Sequence, residues 1–189
     1  MNKHLPDPEF KKTIMRGIAA DMPLPPQLVM PKFDGLFARY IPGYGFVSKG
    51  GKLWVKELVQ DFFDPKLNMV VDGEFWIPGA KLQDIQTAIG VTRDEPGPRH
   101  GEVVFVAFDT PKSPHAAAKR LNELVFKIAN LQNPRIQVTP VRYCRTREEQ
   151  LAAHKHFVQH ISPEGSMHMF PLSAYSPGSS SNLIKVKKS

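Results

Sequence analysis

Met30-Pro31-Lys32-Phe33-Asp34-Gly35 is the stretch on which the reading of this chain turns. Leu28 and Met30 lead into it with the alternation of a strand. Lys32 and Asp34 lie two residues apart, so an extended backbone presents both charged groups on one side. Gly35 lacks the Cβ that would hold a ligand away from the backbone. Taken alone, Asp34-Gly35 is also a simple turn signal. Four further boxes follow in order: Val71-Asp72-Gly73-Glu74, then Phe108-Asp109 at the end of an apolar run, then Glu164-Gly165. The last is Asn182-Leu183-Ile184-Lys185-Val186-Lys187.

The 189 residues suffice for one domain with a real core, and a single domain over residues 1–189 is expected. No apolar run approaches the ~20 residues of a membrane-spanning helix, and Met1 to Phe10 is too polar for a signal peptide. The single cysteine, Cys144, excludes an internal disulfide, fits a reducing cytoplasm, and reads as a small residue closing a strand. A net charge of +7 points modestly to a polyanionic partner. The 18 prolines punctuate the chain into short segments and argue against a helical bundle.

Residues 8–20 carry Phe10, Ile14 and Ile18 at helical spacing and predict an amphipathic helix. Asp21 to Pro26 breaks it before the strand through Leu28 and Met30. Gly43-Tyr44-Gly45 predicts a hairpin between strands at 36–41 and 45–49. Helix is expected at 53–63, strand at 69–77, and a short helix at 81–90 that stops at Gly90. Residues 91–101 read as an exposed loop, and Gly101 as opening a strand from Glu102 to Phe108 buried on both faces. A helix at 114–129, a strand at 135–144 and a helix at 146–160 follow. The core side of that last helix is read as Leu151, Phe157, Val158 and Ile161. Ser173 to Asn182 reads as a flexible loop. The sum is an α+β domain whose strands stack around a cleft.

In this order the boxes resemble the nucleotidyltransferase domain of ATP-dependent polynucleotide ligases, over about residues 25–187. The small DNA ligases of viruses and phages are the nearest in kind. The resemblance implies an α+β, ATP-grasp-like domain of antiparallel sheets flanked by helices around a nucleotide cleft, with no C-terminal OB-fold in this chain. It implies that Lys32 accepts AMP from ATP as a phosphoramidate and passes it to the 5′-phosphate of nicked double-stranded DNA. The enzyme so implied is a monomeric, cytoplasmic DNA ligase of repair, replication or recombination that uses magnesium or another divalent cation. Asp34 would orient the lysine, Glu74 would hold the ribose and approach the metal, and Phe108 would stack on adenine. Glu164 would bind the cation. Lys185 and Lys187 would neutralise the α-phosphate, and Lys49, after Ser48, would stand in a family serine-arginine box.

The chemistry asks much of Lys32. A free lysine amine has a pKa of ~10.4, so deprotonating it near neutral pH costs roughly 4–5 kcal/mol. Neighbouring cations and partial desolvation supply such a shift. Several positions depart from the ligase pattern. Phe37 stands where the family has arginine, with Arg39 on the same expected face as a substitute; Lys49 replaces a second arginine, and Met169 a basic residue. The family also continues into an OB-fold domain, whereas this sequence ends at Ser189. An RNA ligase, an mRNA-capping guanylyltransferase and a catalytically degenerate nick-binding module are the alternatives. His156 and His160 share a helical face, but with His154 and His168 they offer no evident third metal ligand and read as a solvated face.

Overall fold

A computed structural model describes residues 9–91 and 94–188. The first residue of the expected 8–20 helix, most of the Met1 to Phe10 segment, and Thr92 and Arg93 of the expected loop lie outside the described residues.

The strands are β1 (Met15–Ala19), β2 (Gln27–Pro31), β3 (Leu36–Ile41), β4 (Gly45–Ser48), β5 (Val71–Trp76), β6 (Val104–Asp109), β7 (Ile136–Val138), β8 (Arg142–Cys144), β9 (Gly165–Met169) and β10 (Gly178–Lys187). The helices are α1 (Lys56–Val59), α2 (Leu82–Ile89), α3 (Ala117–Ala129) and α4 (Arg147–His160). Two five-stranded sheets result, in the orders β1-β10-β9-β2-β8 and β4-β3-β5-β6-β7. Pairing is antiparallel through the centre of each. One edge strand in each sheet is parallel to its neighbour, β1 to β10 and β7 to β6.

Alternation along the second sheet divides its side chains. Ala38, Tyr40, Val71, Phe75, Phe105 and Ala107 turn into a core completed by Leu58 and Phe62 and by Ile85 and Ile89 of α2. The intervening residues Phe37, Asp72, Glu74 and Phe108 line the opposite side, where the cleft lies. Phe75 is wholly buried in an aromatic cluster with Phe46, Phe62 and Phe105; truncating such a ring costs about 3–5 kcal/mol. In the first sheet Val29 packs with Cys144, Ala153 and Phe157 against α4. Its other face, through Leu28, Met30, Met169 and Leu183, meets Ala117 and Leu121 of α3. Helix α3 thereby ties the sheets together, since Leu124 and Ile128 enter the other core.

Several expectations are corrected. Residues 9–20 form no α-helix: Phe10–Thr13 makes one 3-10 turn, and β1 follows as an edge strand on β10. Ile14 and Met15 are buried as neighbours, a pattern the helical spacing of Phe10, Ile14 and Ile18 does not anticipate. The predicted strand at 135–144 is two strands in different sheets, parted at Pro140, whose missing N–H cannot continue a ladder. The expected loop at 173–182 is β-strand from Gly178 onward, because remote β1 supplies its partner. Gly101 lies in a 3-10 turn before β6, beside a buried His100 whose Nε2 is 2.7 Å from the Leu58 carbonyl. The helix expected at 53–63 holds α only over Lys56–Val59 and continues as 3-10 to Phe62. On α4 the inward residues are Gln150, Ala153 and Phe157, while Leu151 is exposed. The α4 start is as expected: Thr146 caps it and Glu149 closes the capping box.

Candidate active site

A cleft of about 300 Å³ opens between the sheets. Lys32 enters it just past the end of β2. Its backbone is held on both sides: its N–H donates to the Gly165 carbonyl at 3.0 Å, and the Ser162 hydroxyl donates to its carbonyl at 2.5 Å. Its ammonium donates to Glu164 Oε2 at 2.8 Å. Gly165 makes this junction possible. It has φ +125°, and a Cβ there would stand 2.1 Å from the Val186 carbonyl oxygen.

The Lys32-Phe33-Asp34-Gly35 box docks directly on the Asp72-Gly73-Glu74 box. The Gly35 N–H donates to Glu74 Oε2 at 3.1 Å. A Cβ on Gly35 would lie 2.7 Å from the Phe75 carbonyl oxygen and 2.9 Å from Glu74 Oε2. The glycine is therefore required by the approach to β5, a different cause from the ligand contact expected of it. Burial in the cleft wall pushes the Glu74 carboxyl up to about 7; the Gly35 N–H, Lys32 and Lys49 oppose this, and Asp34 adds to it.

Lys185 faces the same space from β10. Burial lowers its pKa, and the charges of Lys49, Lys32, Arg16 and Lys187 lower it further. Lys49 sits exposed on the turn after β4, where the Lys52 N–H donates to the Ser48 hydroxyl. Phe108 lines the cleft with its ring centroid 6.3 Å from that of Phe37.

Lys32, Asp34, Lys49, Glu74, Phe108 and Lys185 thus line one cavity. Glu164 stands beside it as the ion-pair partner of Lys32, and among the described residues Lys32 has no other ion pair. Lys187 is exposed, two residues beyond Lys185 and outside the cleft lining. Among the described residues no group of three His, Cys, Asp or Glu side chains is placed to hold a metal ion. The histidines part company. His156 and His160 lie ring to ring on α4. His154 instead turns inward, and Ser166 Oγ lies 2.7 Å from its Nδ1 and 2.8 Å from Nε2 of buried His168.

Arg39 does not replace the arginine lost at Phe37. Its guanidinium is buried and bonds both carboxylate oxygens of Asp72, at 2.6 and 2.9 Å, together with the Thr13 and Tyr175 hydroxyls. Burial opposes its charge, but Asp72 and Tyr175 together outweigh it and raise its pKa. Directly opposite Asp72 in the β5–β6 register, Asp109 is held in the same bidentate manner by fully buried Arg120, at 2.7 and 3.1 Å. The cleft floor is therefore two aspartates, each clamped by an arginine. Sequence reading missed Tyr175, which donates to Asp72 at 2.7 Å and accepts from the Met15 N–H. It also missed Arg16 and Arg120. An aromatic within an otherwise small, polar stretch was the available signal for Tyr175.

No protein-family model and no curated protein sequence matches the chain. Solved structures do. Chlorella virus DNA ligase-adenylate superposes with a TM-score of 0.74 at 18% identity, over 92% of this chain and 66% of that one. A Lig E DNA ligase, described as binding DNA with a minimal scaffold, gives 0.72 at 20% identity, over 93% and 68%. The ATP-dependent DNA ligase of bacteriophage T7, in complex with ATP, gives 0.63 at 12%, over 95% and 69%. The chain has the fold of the DNA ligase nucleotidyltransferase domain. The chain spans about two thirds of the length of these ligases. Among the described residues no helix is long and apolar enough to cross a membrane.

Proposed function

We propose that this chain is a single adenylation domain over residues 1–189, a nucleotidyltransferase of the ATP-dependent DNA ligase type. One observation carries the reading. Six residues singled out by the sequence boxes, spread from Lys32 to Lys185, line one cavity on a ligase fold, with Lys32 at its wall.

In this reading the Lys32 amine attacks the α-phosphorus of ATP. The N–P bond forms, the bond to the bridging oxygen breaks, and pyrophosphate leaves. The proton lost by the amine has Glu164 as its nearest acceptor, at 2.8 Å. Lys185 and Lys49 stabilise charge on the α-phosphate as pyrophosphate departs. Phe108 takes the adenine face and Glu74 the ribose, with Asp34 beside them; Lys187 meets phosphate nearer the rim. A 5′-phosphate oxygen at a nick in double-stranded DNA then displaces Lys32, which regains its proton. The 3′-hydroxyl finally displaces AMP and closes the strand. The domain acts as a monomer in the cytoplasm, in repair, replication or recombination.

A divalent cation fits this donor set. Magnesium is commonly held by one or two carboxylates together with substrate phosphates. Burial raises the Glu74 carboxyl to about 7, and a cation beside it would favour its charged form. Glu74 and Glu164 would hold the cation, which would offset charge on the leaving pyrophosphate.

Incubation with α-labelled ATP and magnesium tests the reading: an acid-labile, protein-bound label that Lys32→Ala abolishes is expected. Preference for GTP would point to a capping guanylyltransferase, and sealing of RNA but not DNA nicks to an RNA ligase. A second reading, a nick-binding module without catalysis, rests on Phe37, Lys49 and Met169 together with the burial of Arg39. Nick affinity without labelling by any nucleotide would establish it.

A further inference from the structure

The cleft lining contains a buried guanidinium nitrogen that nothing among the described residues uses. Arg16, on β1, lines the cavity alongside Lys32, Lys49 and Lys185. Its Nε is buried and has no hydrogen-bond partner, and among the described residues Arg16 makes no ion pair, whereas Lys32 is paired with Glu164. Buried polar donors are nearly always satisfied, and a charged one left unmade is costly.

Apart from Asp34, the acidic groups that line the cavity or border it are already engaged. Asp72 is held by Arg39 and Asp109 by Arg120. Glu74 accepts from the Gly35 N–H and Glu164 from Lys32. Arg16 stands close enough to Lys185 for its charge to disfavour the ammonium there. Beside it, Gly17 lies against β10: a Cβ on Gly17 would be 3.0 Å from the Leu183 carbonyl oxygen and 3.1 Å from Met167 Cε. That close approach of β1 to β10 lies next to Arg16, which lines the cleft. An arginine fork beside a lysine, paired with no carboxylate among the described residues, has the chemistry to hold a phosphate.

We infer that Arg16 binds a phosphate of the nucleotide, supplying from β1 a guanidinium that Phe37 cannot offer and Arg39 has committed to Asp72. This assignment rests on the nucleotidyltransferase reading.

Equilibrium binding of adenosine, AMP and ATP to the full chain, with magnesium present, tests it in wild type, Arg16→Ala and Arg16→Lys. Loss of one charge-assisted contact is expected to weaken ATP and AMP binding about ten- to a hundredfold in Arg16→Ala. Adenosine binding should be unchanged, and Arg16→Lys should recover part of the loss. Equal affinity of wild type and Arg16→Ala for ATP, or an equal loss for adenosine, overturns the assignment. Parallel labelling with α-labelled ATP separates the two ideas. Normal labelling with no Arg16 effect on binding leaves the adenylation reading standing and removes Arg16 from it. Arg16-dependent binding without a covalent label does the reverse.

Discussion

Lys32 Nζ lies 2.8 Å from Glu164 Oε2, although the two residues are 132 positions apart. The contact follows from the register of the sheet: Pro31 pairs with Ser166, and the Lys32 N–H reaches Gly165 just beyond it. Lys32 and its carboxylate partner are therefore set by the same β2–β9 junction. Replacing Glu164 should consequently affect function more than folding. The pair is partly exposed, with 23% and 43% of the two side chains accessible, and such pairs contribute only about 0–1 kcal/mol. Glu164→Gln is expected to unfold within a few degrees of wild type while needing more magnesium for half-maximal labelling by ATP. An unchanged magnesium requirement would remove Glu164 from the cation site.

The Arg39–Asp72 pair should behave in the opposite way. Both side chains are buried, and breaking a buried pair costs about 3–5 kcal/mol because one charge is left behind. Arg39→Met or Asp72→Leu should each lower stability by that order in urea unfolding. The double variant should lose less than the sum of the two, and losses that simply add would show that the residues are not coupled.

Two buried groups should give stability opposite dependences on pH. The Glu74 carboxyl rises from 4.5 to about 7 on folding, so the folded state holds the extra proton. Stability from this group is full below pH 4.5 and falls as pH rises through 7, by up to ~3 kcal/mol. The buried His168 imidazole falls from 6.5 to about 4, chiefly through burial, with His154 and Arg147 adding to it. Its contribution is full above pH 6.5 and is lost as pH falls toward 4, by a similar order. The slopes oppose each other in wild type. Glu74→Gln should therefore expose a stability that climbs from pH 4 to 6.5, and His168→Gln one that declines from pH 4.5 to 7. Denaturant midpoints at four or five pH values check this, and parallel curves for the two variants would refute it.

What the sequence disclosed was local chemistry. Lys32, Gly35, Glu74 and Gly165 could be read because each box is short, and the glycines are forced by backbone contacts at their own positions. Non-local pairing was hidden. Nothing within 8–20 or 173–182 announces that the two segments form a parallel pair, so one read as helix and the other as loop. Arg16 and Tyr175 lie on those misread segments, and both were missed. Arg39 was placed on the same strand face as Phe37, but its capture by Asp72 depends on the β3–β5 register, in which Arg39 stands opposite Asp72. The expected strand at 135–144 runs across Pro140, where the chain passes from one sheet to the other.

The central claim is that Lys32 becomes covalently adenylated. The most direct measurement is the mass of the intact chain after incubation with ATP and magnesium, followed by mapping of the modified residue. The account expects an added AMP on Lys32, released by acid and absent from Lys32→Ala. An unmodified chain, or AMP on another residue in both proteins, would contradict it.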